Sequence, residues 1–161
     1  MAQNTLAPWA EPVPNRGPMT VDELAALPED DGWLYELVEG RLVRMPSPGG
    51  EHGEIAGNVF GALWSFVMPR HLGRVLAAET GFQLGPQTAL AADAAYVRAE
   101  RVPTRASIAR KKAWQLAPDL VAEVASPSQT RDGLEAKAKN WVDAGVRLAW
   151  VVWPDTQQVD V

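Results

Sequence analysis

The chain has 161 residues, 47% of them hydrophobic, with a net charge of −5 and no cysteine. That length fits one domain around a single core; no run of about 18 apolar residues offers a membrane span, and no charged stretch leading into an apolar one marks a signal peptide, so a cytoplasmic location is expected. Disulfides and thiolate metal sites are excluded, and with His52 and His71 as the sole histidines a metal site must rest on oxygen donors, which favours Mg²⁺ or Mn²⁺ over closed zinc.

Residues 1–18 hold Pro8, Pro12, Pro14 and Pro18 without an apolar period and are expected to form a disordered leader, with the folded domain spanning 19–161. Thr20-Val21-Asp22-Glu23 matches a capping box and opens a short helix through Leu24 and Leu27, ended by Pro28 and the acidic turn Glu29–Gly32. Trp33–Val38 and Arg41–Met45 flank Glu39-Gly40 and predict an N-terminal β-hairpin. A helix from about Glu51 to Met68 follows, its apolar stripe read as Ile55, Val59, Leu63, Phe66 and Val67. Short strands are expected near Arg74–Ala77, Gly81–Leu84, Ala92–Val97 and Leu120–Ala125. Thr130 caps a helix from about Arg131 to Ala144, and Gly145 closes it. Val146–Trp153 is a strongly apolar strand, and Gln157–Val161 alternates like another. Interleaved strands and helices predict an α/β fold with a mixed sheet flanked by helices, and Leu120–Trp153 reads as a parallel crossover unit.

Charge is uneven along the chain. Residues 1–60 carry ten acids against three bases, whereas Arg98, Arg101, Arg105, Arg110, Lys111 and Lys112 face only Glu100. The basic stretch is either a solvated loop or a rim facing phosphate. The acidic balance argues against a general nucleic-acid coat.

The chemistry concentrates in a few acids and one lysine. Asp93 sits in the strand Ala92–Val97, where an acid is costly to bury without a partner. Asp119 precedes the strand that contains Glu123, and alternation puts Asp119, Val121 and Glu123 on one face. A carboxylate on each of two neighbouring strands can hold a divalent cation; each could equally be half of a structural ion pair. Lys137 lies at the edge of a helical stripe read as Leu134, Ala138, Trp141 and Val142, where a lysine either snorkels or folds back over the Glu123 strand. Lys139 projects to the opposite, solvated side. Glu36 lies in the hairpin strand, and His52 opens the long helix as a cap or packing residue. Trp64, Trp141 and Trp150 fall on apolar periods and read as core.

These blocks, in order, resemble a bacterial family of putative restriction endonucleases in the PD-(D/E)XK nuclease superfamily. The resemblance is carried by Tyr35–Gly40 with Arg41–Val43, Glu51-His52, Ala92–Val97, Pro118–Ser128, Lys137, Trp141, Gly145-Val146 and Trp150–Pro154. It spans residues 19–161, and it implies that the family runs on past Val161, so the chain is expected to end short of the full fold. The resemblance implies a restriction-endonuclease-like fold, a Mg²⁺- or Mn²⁺-dependent DNA endonuclease activity and a homodimer. By it Asp93 is the first metal-binding aspartate, and Glu123 is the acid of the (D/E)XK element. Val124-Ala125 stands where X-K would be, Lys137 supplies the lysine from the helix, and Glu36 completes the cluster. Two other classes stay open: a nuclease-fold module that binds nucleic acid or a protein without cutting, and a glycosidase using Asp93 and Glu123 as acid and base.

Overall fold

A computed structural model describes residues 7–14, 16–27, 32–109 and 113–161. Pro28, residues 29–31 of the expected turn Glu29–Gly32, and the basic residues Arg110, Lys111 and Lys112 lie outside them. The described residues form a nine-stranded mixed sheet with flanking helices.

Local sequence rules build the first part. Thr20 caps α1 (Val21–Ala25) in a full capping box with Glu23. Strands β2 (Trp33–Val38) and β3 (Arg41–Pro46) pair antiparallel through Glu39 and Gly40, at φ of 49° and 80°. Two successive positive φ values are what a two-residue hairpin turn requires. Ahead of them, β1 (Glu11–Pro12) pairs with the free edge of β3, and the Val13 N–H donates to Leu42 O. Residues 7–14 are therefore docked, in contrast to the disordered leader expected from proline content. The physical reason is burial: Ala7 and Trp9 lie in the core, and prolines are tolerated on an edge strand.

Helix α2 (Gly50–Val67) packs on β4 (Gly73–Gly85), β5 (Thr88–Arg98) and β7 (Leu120–Val124). Its buried side is His52, Ala56 and Val67, with Ile55, Val59 and Leu63 half-buried; Phe66 and Trp64, expected inside, are exposed. The two short strands expected between residues 74 and 84 are one long strand, β4, with a register shift between Ala77 and Thr80. A bulge there interrupts the apolar alternation that would have joined them. Short α3 (Arg105–Ile108) and β6 (Ala113–Trp114) follow, and β6 runs parallel to β4.

The carboxyl-terminal half is the expected parallel unit: β7, α4 (Arg131–Asp143) and β8 (Leu148–Trp153), with β9 (Gln158–Asp160) returning antiparallel. Thr130 caps α4 by accepting the Gly133 N–H, and Gly145 at φ 100° ends the turn after it. Phe82, Leu90, Val97, Val121 and Trp141 fill the main core, Trp141 meeting Phe82 edge-on at 5.9 Å. Trp141 is thus core, as read from the sequence, whereas Val142 is exposed.

Asp119 belongs to this scaffold. Its carboxylate accepts the Arg98 N–H (3.0 Å) and the Arg101 guanidinium (2.8 Å), tying the start of β7 to the end of β5. Arg98 and Arg101 are therefore engaged with Asp119. Burial opposes the Asp119 charge, but the Arg98 amide and the Arg101 guanidinium outweigh it and hold the carboxyl below its ordinary 3.8. A depressed folded pKa means stability that is present above pH 3.8 and is lost as pH falls through the folded value. Asp119→Ala is expected to lower stability to urea at pH 7 by about 2–3 kcal/mol, from a lost charged hydrogen bond and orphaned donors. A variant as stable as the parent chain contradicts this role.

Candidate active site

The site forms where one strand changes partners. Strand β5 pairs with β4 along one edge. Its other edge is divided: β2 pairs at Leu37↔Ala89, and β7 pairs from Ala94↔Ala122 to Tyr96↔Leu120. Between them, around residues 90–93, that edge makes no ladder, and its polar backbone groups need other partners. Side chains supply them. Ala91 N–H donates to Glu36 Oε1 (2.9 Å), and Ala91 C=O accepts from Lys137 Nζ (3.0 Å).

Continuing the β5–β7 register by one residue puts Asp93 opposite Glu123, because Ala94 faces Ala122. There the Asp93 carboxylate replaces the ladder: its Oδ2 accepts the Val124 N–H at 2.7 Å and faces His52 Nε2 at 3.1 Å. Its Oδ1 has no hydrogen bond among the described residues. The side chain is 20% exposed and lines a cleft of about 580 Å³.

Lys137 sits in the middle of the buried stripe of α4, between Leu134 and Trp141, rather than at its border. Its ammonium is 3.0 Å from both Glu36 Oε1 and Glu123 Oε2. With Ala91 O as the third acceptor, all three of its N–H groups are used. The remaining glutamate oxygens meet indoles: Trp141 Nε1–H donates to Glu123 Oε1 (2.7 Å), and Trp9 Nε1–H to Glu36 Oε2 (2.9 Å). Lys139, by contrast, is exposed and pairs with Asp143.

The structure brings Glu36, Asp93, Glu123 and Lys137 to one cleft and leaves Asp119 out of it. His52 and Trp9 join them. Counting back four residues from Ala56 puts His52 on the buried stripe, a signal that the helix-start reading passed over. A tryptophan among prolines was the signal for Trp9. Buried His52 Nδ1 has no partner among the described residues. The hydrogen bond to Asp93 raises the imidazole pKa above its ordinary value, against the effect of burial.

Three carboxylates face one lysine, so the cluster is short of positive charge. Burial pushes Glu123 up to about 8, against the attraction of Lys137 and aided by the charges of Asp93 and Glu36. Burial works against the Lys137 charge as well, but Glu123, Glu36 and Asp93 overcome it and raise its pKa. The lysine is held as a cation.

A chain similar to this one has been solved: a putative nuclease of the DUF820 group from Anabaena variabilis, 26% identical, at a TM-score of 0.76 over 88% of this chain and 78% of that one. No curated protein matches the sequence. The family model described as "Uma2: Putative restriction endonuclease" matches residues 21–161. The chain belongs to the Uma2 family. Membership and the structural match support a nuclease-like function and a hydrolase acting on nucleic acid. No helix of the described residues is long and apolar enough to cross a membrane.

For a Uma2 chain the question is then whether these residues fit a divalent cation. Among the described residues no three acids or histidines stand ready around one point. The donor chemistry nevertheless suits a hard cation: Asp93 and Glu123 line one cleft from neighbouring strands, Asp93 Oδ1 has no hydrogen bond among the described residues, and the cluster has charge to spare.

The raised pKa of Glu123 makes stability depend on pH. Its folded pKa lies above the unfolded 4.5, so its contribution to stability is full below pH 4.5 and is lost as pH rises through about 8. Glu123→Gln, which has no proton to lose, is expected to lower overall stability, because its amide N–H groups face a donor at Lys137 or Trp141, and to flatten the stability–pH curve across that window. Parent and variant curves of the same slope contradict the assignment.

Proposed function

We propose that this chain is a metal-dependent endonuclease that hydrolyses DNA phosphodiester bonds, using Mg²⁺ or Mn²⁺. The observation that carries the reading is the open Asp93 Oδ1 opposite Glu123, in a cleft lined by four carboxylates against Arg44 and Lys137. A polyanion enters such a cleft only if cations offset its charge. Asp93 and Glu123 would hold the ion, with Glu36 in support. When bound, the ion supplies Lewis-acid polarisation of the phosphate and a lowered pKa for water.

The chain's own groups do the rest. Val124 N–H and His52 Nε2 fix Asp93 Oδ2, which leaves Oδ1 without a hydrogen bond among the described residues. Lys137 keeps Glu36 and Glu123 together and brings a fixed positive charge near the phosphate, where negative charge grows as the bond breaks. Its N–H groups are all engaged, so orienting water would require it to exchange one of those contacts. A homodimer, cutting both strands with two such sites, belongs to the same proposal.

A second reading has an observation of its own. Both glutamates are fully hydrogen-bonded without a metal, as a non-catalytic nuclease-fold module would have them. Cleavage assays separate the two. Nicking of supercoiled plasmid is expected with Mg²⁺ or Mn²⁺ and to cease in EDTA. Asp93→Ala and Glu123→Ala are expected to lower the rate at least about 100-fold, the scale on which a preorganised electrostatic group acts. Undiminished cutting in EDTA, or by either variant, sinks the metal mechanism. A folded chain inert with both ions, and showing no Asp93-dependent Mn²⁺ binding, favours the module.

A further inference from the structure

The family match begins at residue 21, yet the segment before it reaches into the site. Trp9 is 5% exposed, and its indole N–H provides the one hydrogen bond to Glu36 Oε2 among the described residues. Glu36 is itself 1% exposed and holds Lys137 through its other oxygen. The segment is anchored on both sides of that contact. On one side Glu11 and Pro12 pair with Arg44 and Val43 of β3. On the other, Pro8 passes so close to α4 that a Cβ on Gly133 would lie 3.1 Å from Pro8 O. Pro8, Trp9 and Glu11 also line the cleft.

We propose that Trp9 is a positioning residue of this site, acting through Glu36 on Lys137 and Glu123, so that the segment outside the family match completes the nuclease centre. The inference rests on the nuclease reading above. A glutamate this deeply buried keeps one orientation only while both oxygens are satisfied. With Trp9 in place, Oε2 is held by the indole, and Oε1 is aimed at Lys137 and the Ala91 amide. Without the indole N–H, Oε2 turns to seek another donor, and the lysine loses one of its two carboxylate anchors. The effect falls on geometry of the reacting centre, not on contact with DNA.

The test uses Trp9→Phe, which keeps an aromatic ring and deletes the donor, in the full chain. With Mn²⁺ and plasmid DNA, kcat is expected to fall about tenfold, the scale of one charged hydrogen bond, while KM for DNA stays within about twofold. A role in packing alone would move the melting temperature without that split. The effect is also expected to vanish in a Glu36→Gln background, because coupled residues are non-additive. That cycle is read both in kcat and in Mn²⁺ affinity, so an inactive Glu36→Gln still reports. Gly133→Ala, whose added Cβ would meet Thr130 Oγ1 at 2.9 Å and Pro8 O at 3.1 Å while leaving Trp9 itself intact, is the second variant if Trp9→Phe fails to fold; it is expected to lower kcat several-fold where Thr130→Ala, which disturbs the cap alone, does not. An active parent chain with unchanged kcat in the folded variant, or equal losses with and without Glu36, overturns the role of Trp9 and leaves the nuclease reading standing. A parent chain that cuts with neither ion overturns both.

Discussion

Strand β5 cannot keep one neighbour along its second edge, and the candidate site follows from that. Where β2 leaves and β7 has not yet joined, the Ala91 amide and carbonyl face a gap. Unpaired backbone groups in a core are too costly to persist. Glu36 reaches in from β2 to take the N–H, and Lys137 reaches in from α4 to take the C=O. Their charges then require each other, and Glu123 joins from β7. Asp93 caps the same gap by taking the Val124 amide in place of a strand. An opening in the sheet thus becomes a cluster of charge that the fold is built to hold.

Such a cluster is a poor source of stability. Desolvating three ionised groups costs more than their attraction returns unless every hydrogen bond is made. Here both glutamates and the lysine have their partners, two indoles among them. The cluster nonetheless keeps an imbalance, with Asp93 in excess and burial pushing the Glu123 pKa up to about 8. A site designed only for stability would be neutral and closed. This one is negative, with one carboxylate oxygen left without a hydrogen bond among the described residues, a state that a divalent cation would relieve.

Much of this was legible in the sequence, for reasons that differ by element. The hairpin was readable because Glu39-Gly40 meets a backbone demand that few residue pairs meet, and α4 because Thr130 and Gly145 mark both its ends. Asp93, Glu123 and Glu36 stood out as acids in apolar strands. Lys137 was placed at a stripe's border, since nothing local says that two glutamates wait beneath it; its central position depends on β2, which lies about a hundred residues away in the chain. The long β4 was hidden by its bulge. Trp9 was hidden by its surroundings, because composition averages a single anchor into a proline-rich segment. The exposed Trp64 marks the opposite error, in which helical period alone was taken for burial.

In the proposed centre, Asp93 and Glu123 are the two protein ligands of one cation. Diffraction from Mn²⁺-soaked crystals, at a wavelength where manganese scatters anomalously, tests it most directly. An anomalous peak is expected between these two carboxylates, with Asp93 Oδ1 in its coordination sphere and the Lys137 ammonium beside it. A fully occupied manganese elsewhere, with the Glu36–Lys137–Glu123 network unchanged and nothing at Asp93, would contradict it.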